Sequence, residues 1–245
     1  MIAAVGLLAE AQIAARSANV KTVVSGGKAT QLAELIEAAI AGGGRAIVSF
    51  GIAGGLREDL KPATCLIGGE VAHAGKLYRA DAAWSTCLAK RLTTSKLQRF
   101  ETERGGNAKR SRLSGERRPA LHRIAGVDRP VASPCDKRAL NAATGASAAD
   151  MESHIVADLA ERHGLPFAMV RVIADPVSRA IPQAALVGMR SDGAMNAIAC
   201  LRATAREPAQ VPALIRLAVD TSRAMLQLRR CVKVLGPGLG FFERG

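Results

Sequence analysis

AIVSFGIAGGL, residues 46–56, runs without a break from an apolar stretch into closely spaced glycines. A short apolar run of this kind fits a strand buried on both faces. Glycines at its C-terminal end let a ligand approach the main chain and use its N–H groups. A strand leading directly into such a turn is the usual ligand-binding edge of a parallel sheet, although glycine-rich strand ends are also plain turns. A second stretch, LPFAMVRVIADP at 165–176, is the clearest buried strand of the chain, with Asp175 closing it and Pro176 following.

The same alternation extends outward from these two strands. Residues 2–8 (IAAVGLL) and Thr22–Ser25, the latter followed by Gly26-Gly27, read as strands. QLAELIEAAI, within Thr30–Ile40, is helical and is ended by Gly42-Gly43-Gly44. Thr64–Ala72 predicts a strand and Asp81–Arg91 a helix. Ser133-Pro134 before CDKRALNAAT predicts a capped helix, with acid early and base later. Ser147–Met151 is a short strand feeding a helix from Glu152 to His163, and further helices are expected over 193–206 and 210–231. This pattern predicts an α/β fold, a single domain over 1–245 whose mixed, mostly parallel central sheet is flanked by helices.

Composition agrees. The apolar content is Ala, Val, Ile and Leu, with one Trp, one Tyr and five Phe, which favours helices on a sheet over an aromatic-rich sandwich. No apolar run reaches the ~18 residues of a membrane span. MIAAVGLLAEAQIAAR has no basic leader and carries Glu10 inside its apolar run, so a cytoplasmic location is expected. Five scattered cysteines without a CxxC pair suit a reducing compartment, and the four histidines do not cluster at ligand spacing. No metal is expected.

The net charge of +13 is unevenly spread: Lys90–Arg123 holds eleven Lys/Arg against three Glu. A single Phe (Phe100) interrupts this patch, and no recognition motif accompanies it, so no specific nucleic-acid partner is expected. Residues 93–123 show no sustained period and read as a long basic loop or insertion.

Three places could carry chemistry. The turn Gly51–Gly55 could lie under a ligand. Asp150-Met151-Glu152 places two acids at a helix start, where they could also merely complement the helix dipole. Asp175 sits at the C-terminal edge of a strand, where α/β enzymes bind ligands, yet Asp also forms turns.

In order and spacing, VSFGIAGGL, AADMESHIVADLA and PFAMVRVIADP resemble the nucleoside phosphorylase/nucleosidase superfamily. AGVDRPVASPCDK, ATGASAADMESHI, ALVGMRSDG and VLGPGLGFF are similar to its hopanoid-associated phosphorylases, also described as adenosylhopane nucleosidases. The resemblance covers residues 1–90 and 124–245. It implies adenine release from a nucleoside whose 5′ carbon carries a polycyclic triterpenoid. It further implies Asp175 as the acid at purine N7, Glu152 as the ligand of the ribose hydroxyls, and Met151 beneath the sugar. The Gly51–Gly55 turn, with Ile52, Ala53 and Gly54, would pass under the nucleoside. Glu10 would orient a water. It stands one residue nearer the preceding glycine than in methylthioadenosine nucleosidases, and Ile52 stands where those enzymes have Ser.

The resemblance implies a homo-oligomer and no cofactor, with phosphate as co-substrate only in a phosphorolytic member. Peripheral contact with the inner membrane, through the basic segment and an amphipathic helix over 211–235, is a further expectation; a core helix with a basic outer face is its plain alternative. A methylthioadenosine/adenosylhomocysteine nucleosidase and a non-catalytic nucleotide- or nucleic-acid-binding protein are the competing functional readings.

Overall fold

In the computed structural model, which describes residues 1–95, 120–187, 202 and 204–241, the stretch 46–56 forms strand β3 (Ile47–Gly55). One edge of β3 carries β8 (Phe167–Asp175), parallel from Ile47↔Phe167 to Gly54↔Asp175. The register slips once, so that Ala174 has no partner opposite and Asp175 faces Gly54, as a β-bulge does. The other edge is shared. β1 (Ile2–Val5) pairs in parallel with Ile47–Ser49, and β7 (Ala148–Asp150) pairs antiparallel with Gly54 and Gly55. Between them is an opening where no described strand pairs with β3.

The sheet then closes on itself. β7 pairs with β6 (His122–Gly126), β6 with β4 (Cys65–His73), and β4 with β8. The pairings β3–β7–β6–β4–β8–β3 thus form a ring of five strands, with β2 (Lys21–Val24) extending it beyond β1 and β5 (Lys76–Arg79) beyond β4. Among the described residues five of the eight pairings are parallel, which agrees with a mixed, mostly parallel sheet.

Period-2 alternation sorts side chains to two cores. Ala3, Val5, Val48, Phe50, Val170 and Val172 face one cluster with α1 (Leu8–Ala14), α3 (Ala82–Thr94) and the second half of α7 (Val211–Leu235). Ile2, Ala4, Ile47, Met169 and Ile173 face the other with α2 (Ala29–Ala41) and α5 (Ser153–Arg162). Leu32 and Ile36 of α2 are fully buried there, each contributing about 1.5–3 kcal/mol. Two helices rim the opening, α4 (Pro134–Thr144) and α6 (Gln183–Val187). No described helix is long and apolar enough to cross a membrane.

Several expectations need correction. Gly51–Gly55 are strand residues rather than a turn after a strand, because β8 continues to pair beside them. Regular structure resumes at His122, inside the loop expected over 93–123, since β4 and β7 supply partners for β6 on both edges. The ends of the basic stretch are structural: Arg91 donates to the Leu235 carbonyl at 2.6 Å, capping α7, and Arg123 pairs with Glu70 at 2.9 Å. Residues 96–119, and most of the helix expected over 193–206, lie outside the described residues. Helix α1 and strand β5 had no expectation.

Candidate active site

Glu10 enters the opening from the first turn of α1 and is buried to 1 % exposure. Its Oε2 accepts from the Gly6 and Leu7 N–H groups, both at 2.8 Å, and Oε1 accepts from Ile52 N–H at 2.7 Å. The bond to Leu7 is the reach-back of a capping box, so the side chain also starts its own helix. The bond to Ile52 fills the β3 edge that β1 and β7 leave open. Three of roughly four acceptor positions are taken, which leaves one toward the cavity. Burial pushes the Glu10 carboxyl above its usual range, opposed by Arg171 and the three amides. Gly51 must lack a side chain, because a Cβ there would lie 2.5 Å from Glu10 Oε1 and 2.8 Å from Arg171 Nη1.

Asp150 and Glu152 take different roles. Asp150 Oδ1 accepts from the Glu152 and Ser153 N–H groups at 3.1 and 2.8 Å, at the entry to α5. Its other oxygen faces Arg171 Nε at 2.6 Å. Glu152 instead lines the cavity. Its Oε1 accepts from the Ser25 hydroxyl at 3.1 Å, and Oε2 lies 3.4 Å from Arg171 Nη2. Burial pushes Glu152 up to about 7, with Arg171 pulling the other way and Asp150 and Glu10 adding to the rise. Arg171, buried in mid-β8, is the cation around which these three acids are arranged.

At the far end of the same strand, Asp175 lines the cavity beside Gly54. Burial raises its carboxyl, while the Lys137 ammonium in direct contact with Oδ2 works to lower it. Lys137 comes from the first turn of α4, where Ser133 caps through the Asp136 N–H at 3.0 Å.

These groups share one cavity of about 740 Å³. All seven residues expected at a site line it: Glu10, Ile52, Ala53, Gly54, Met151, Glu152 and Asp175. The wall away from the sheet is apolar, built by Leu214, Ile215, Leu217 and Ala218 of α7 with Val131 and Leu186. The first half of α7 also leaves Val211 and Val219 exposed, whereas its second half carries the core residues Ala224, Leu228, Cys231 and Leu235, with Leu226, Arg229, Arg230 and Lys233 outside. Sequence reading missed Lys137, Ser25 and this wall. A lone arginine inside the apolar strand, and a lysine where a helix start favours acids, were the available signals.

The histidines are less scattered than their spacing suggests. His73, Asp128 and His154 bring ligand-type atoms within 4.8 Å of one another. The two rings stack at 4.1 Å with 22° between planes, so their in-plane lone pairs do not converge on one point. His73 Nδ1 bonds the Gly126 carbonyl at 3.0 Å. In this arrangement the pair packs β4 against α5.

The family profile of the phosphorylase superfamily matches residues 17–206. No curated protein matches the sequence. Among solved structures, 5′-methylthioadenosine/S-adenosylhomocysteine nucleosidase from Helicobacter pylori, bound to butyl-thio-DADMe-Immucillin-A, superimposes with a TM-score of 0.58 at 16 % identity, over 94 % of this chain and 96 % of that one. S-adenosylhomocysteine nucleosidase from Streptococcus pyogenes, in complex with 5-methylthiotubericidin, gives 0.56 at 15 % identity, over 92 % and 95 %. Native futalosine hydrolase of Helicobacter pylori gives 0.55 at 16 % identity, over 94 % and 96 %. At these identities the likeness is one of fold.

Proposed function

The chain belongs to the phosphorylase superfamily, and from that premise we propose that it cleaves the N-glycosidic bond of a purine nucleoside, with water as the attacking group. The observation that carries this reading is one cavity with carboxylates at two stations, Glu10 and Glu152 near the β1–β7 opening and Asp175 at the end of β8. Ribosyl–purine cleavage needs both. The sugar gains positive charge, which Glu152 beside its hydroxyls would offset, and the departing base needs a proton, which Asp175 would deliver. Glu10, with an acceptor position left toward the cavity, orients the water. Among the described residues lining the cavity Lys137 is the only cation, and it is engaged by Asp175, which favours water over phosphate.

The substrate is an adenosine with a large apolar group at its 5′ carbon, adenosylhopane by the resemblance of the AGVDRPVASPCDK, ALVGMRSDG and VLGPGLGFF stretches. What supports it here is the wall of α7, where Leu214, Ile215, Leu217 and Ala218 outnumber the two hydroxyl residues Thr221 and Ser222. Adenine release from 5′-methylthioadenosine and from an adenosine bearing a bulky apolar 5′ substituent, each with and without phosphate, tests the proposal. Release should be phosphate-independent and faster for the bulky substrate, and Asp175→Asn should lower kcat by roughly 100-fold or more. No adenine from either substrate refutes the enzymatic reading, and strict dependence on phosphate refutes the choice of water.

A further inference from the structure

We propose that Lys137 supplies, through Asp175, the proton that the departing purine takes up. The inference rests on the nucleosidase reading and adds to it a residue that does not itself touch the substrate's reacting atoms. Lys137 is the single buried residue of the eleven in α4, at 0 % exposure. Burying an ammonium is costly, and it is buried here on a rim helix whose other residues are exposed or half-buried. Its position in the first turn adds to the cost, because the helix dipole is positive there. The three N–H bonds of the ammonium meet three acceptors: Asp175 Oδ2, the Pro176 carbonyl at 3.2 Å and the Arg179 carbonyl at 2.9 Å. A charged lysine is therefore held directly against the proposed acid, on the wall of the cavity that would hold the base.

The chemistry follows from this contact. The Nζ–H directed at Oδ2 gives the Asp175 carboxylate a proton source in direct contact. As C1′–N9 breaks, the bonding electrons stay on the purine. Nζ–H breaks, Asp175 receives the proton on Oδ2 and passes it to N7, and the base leaves neutral. Lys137 becomes a neutral amine, and Asp175 is again a carboxylate. The water that attacks C1′ releases one proton to solvent, and uptake of one proton restores the ammonium. Other charges facing the pair are Asp220 of α7, itself bound by Arg179 and Arg223, and exposed Asp136 on α4.

The test uses the full chain with Lys137→Arg and Lys137→Met, adenine release from 5′-methylthioadenosine across pH, and thermal melting to check folding. Arg keeps the positive charge but does not give up its proton. Lys137→Arg should therefore lose about 100-fold in kcat at every pH with KM little changed. In Lys137→Met the carboxyl must hold the proton itself, so activity should survive in acid and its alkaline limb should move down by at least one pH unit. Full rescue by Arg, or an unmoved alkaline limb in the Met variant, overturns the proposal. A ¹³C-carboxyl titration of Asp175 is read without turnover: the Met variant should take up its proton at higher pH than the parent, and coincident titrations overturn the inference. If the parent releases no adenine, the nucleosidase reading fails, while the titration still decides where the proton of the pair resides.

Discussion

Glu152 is an acid whose charge is disfavoured by its surroundings, since burial pushes it up to about 7 while an unfolded chain would hold it near 4.5. Between those values the folded protein keeps a proton that the unfolded chain has lost, so the unfolded state binds fewer protons and stability falls as pH rises. The group's contribution is fully present below about 4.5, declines from there to about 7, and is flat above. The whole effect is on the order of 3 kcal/mol. Glu152→Gln removes this term, so its melting temperature should fall less than the parent's between pH 5 and pH 8. Equal falls in the two proteins would show that Glu152 ionises in the folded chain as it does in water. Glu10 has a raised carboxyl too, but its three main-chain donors tie its ionisation to the geometry of α1 and β3. Glu10 stood out in the sequence as an acid inside an apolar run, whereas its role and that of Glu152 came from the resemblance of the surrounding motifs.

Among elements, β8 carries the most. On one face it sets Phe167, Met169, Arg171 and Ile173, and past the bulge at Ala174 it ends on Asp175, so an apolar strand presents a cation in its middle and an acid at its end. Replacing Arg171 with Met would leave Glu10, Asp150 and Glu152 without their shared cation. Removing one partner of a buried charged network costs about 3–5 kcal/mol. In a chain of this size that lowers Tm by roughly 10 °C, measurable by calorimetry. A loss below about 2 °C would mean that the acids are neutral in the folded protein. The strands around 46–56 and 165–176 were legible because each is a continuous apolar run with a marked end. Strand β5, with the sequence Lys-Leu-Tyr-Arg, was not legible: only Tyr78 is buried, and four residues give no period to detect. Helix α1 was hidden in a run that reads equally as an extension of β1. Lys137 was hidden for a different reason. A lysine on a polar helix reads as solvated, and its burial depends on β8 arriving from nearly forty residues away.

The molecule as a whole is organised by the closure of its sheet. Alternation of strands and helices gave the class of fold, but no local pattern encodes that β4 meets β8 antiparallel and so joins the two halves. That contact depends on partners roughly a hundred residues apart, beyond the reach of periodicity. A ring differs mechanically from an open sheet, since none of its members has a loose side from which to peel. β8 is gripped along both flanks, by β3 over its full length and by β4 over Met169–Val172. Under hydrogen exchange its amides should therefore be the last to open, well after those of the outlying β2 and β5. Exchange of β8 as fast as β2 would mean that the hoop is not closed in solution. If it is closed, the acid at Asp175 and the cation at Arg171 hang from the stave least able to slacken, and the chain can breathe at its rim while its chemistry keeps still.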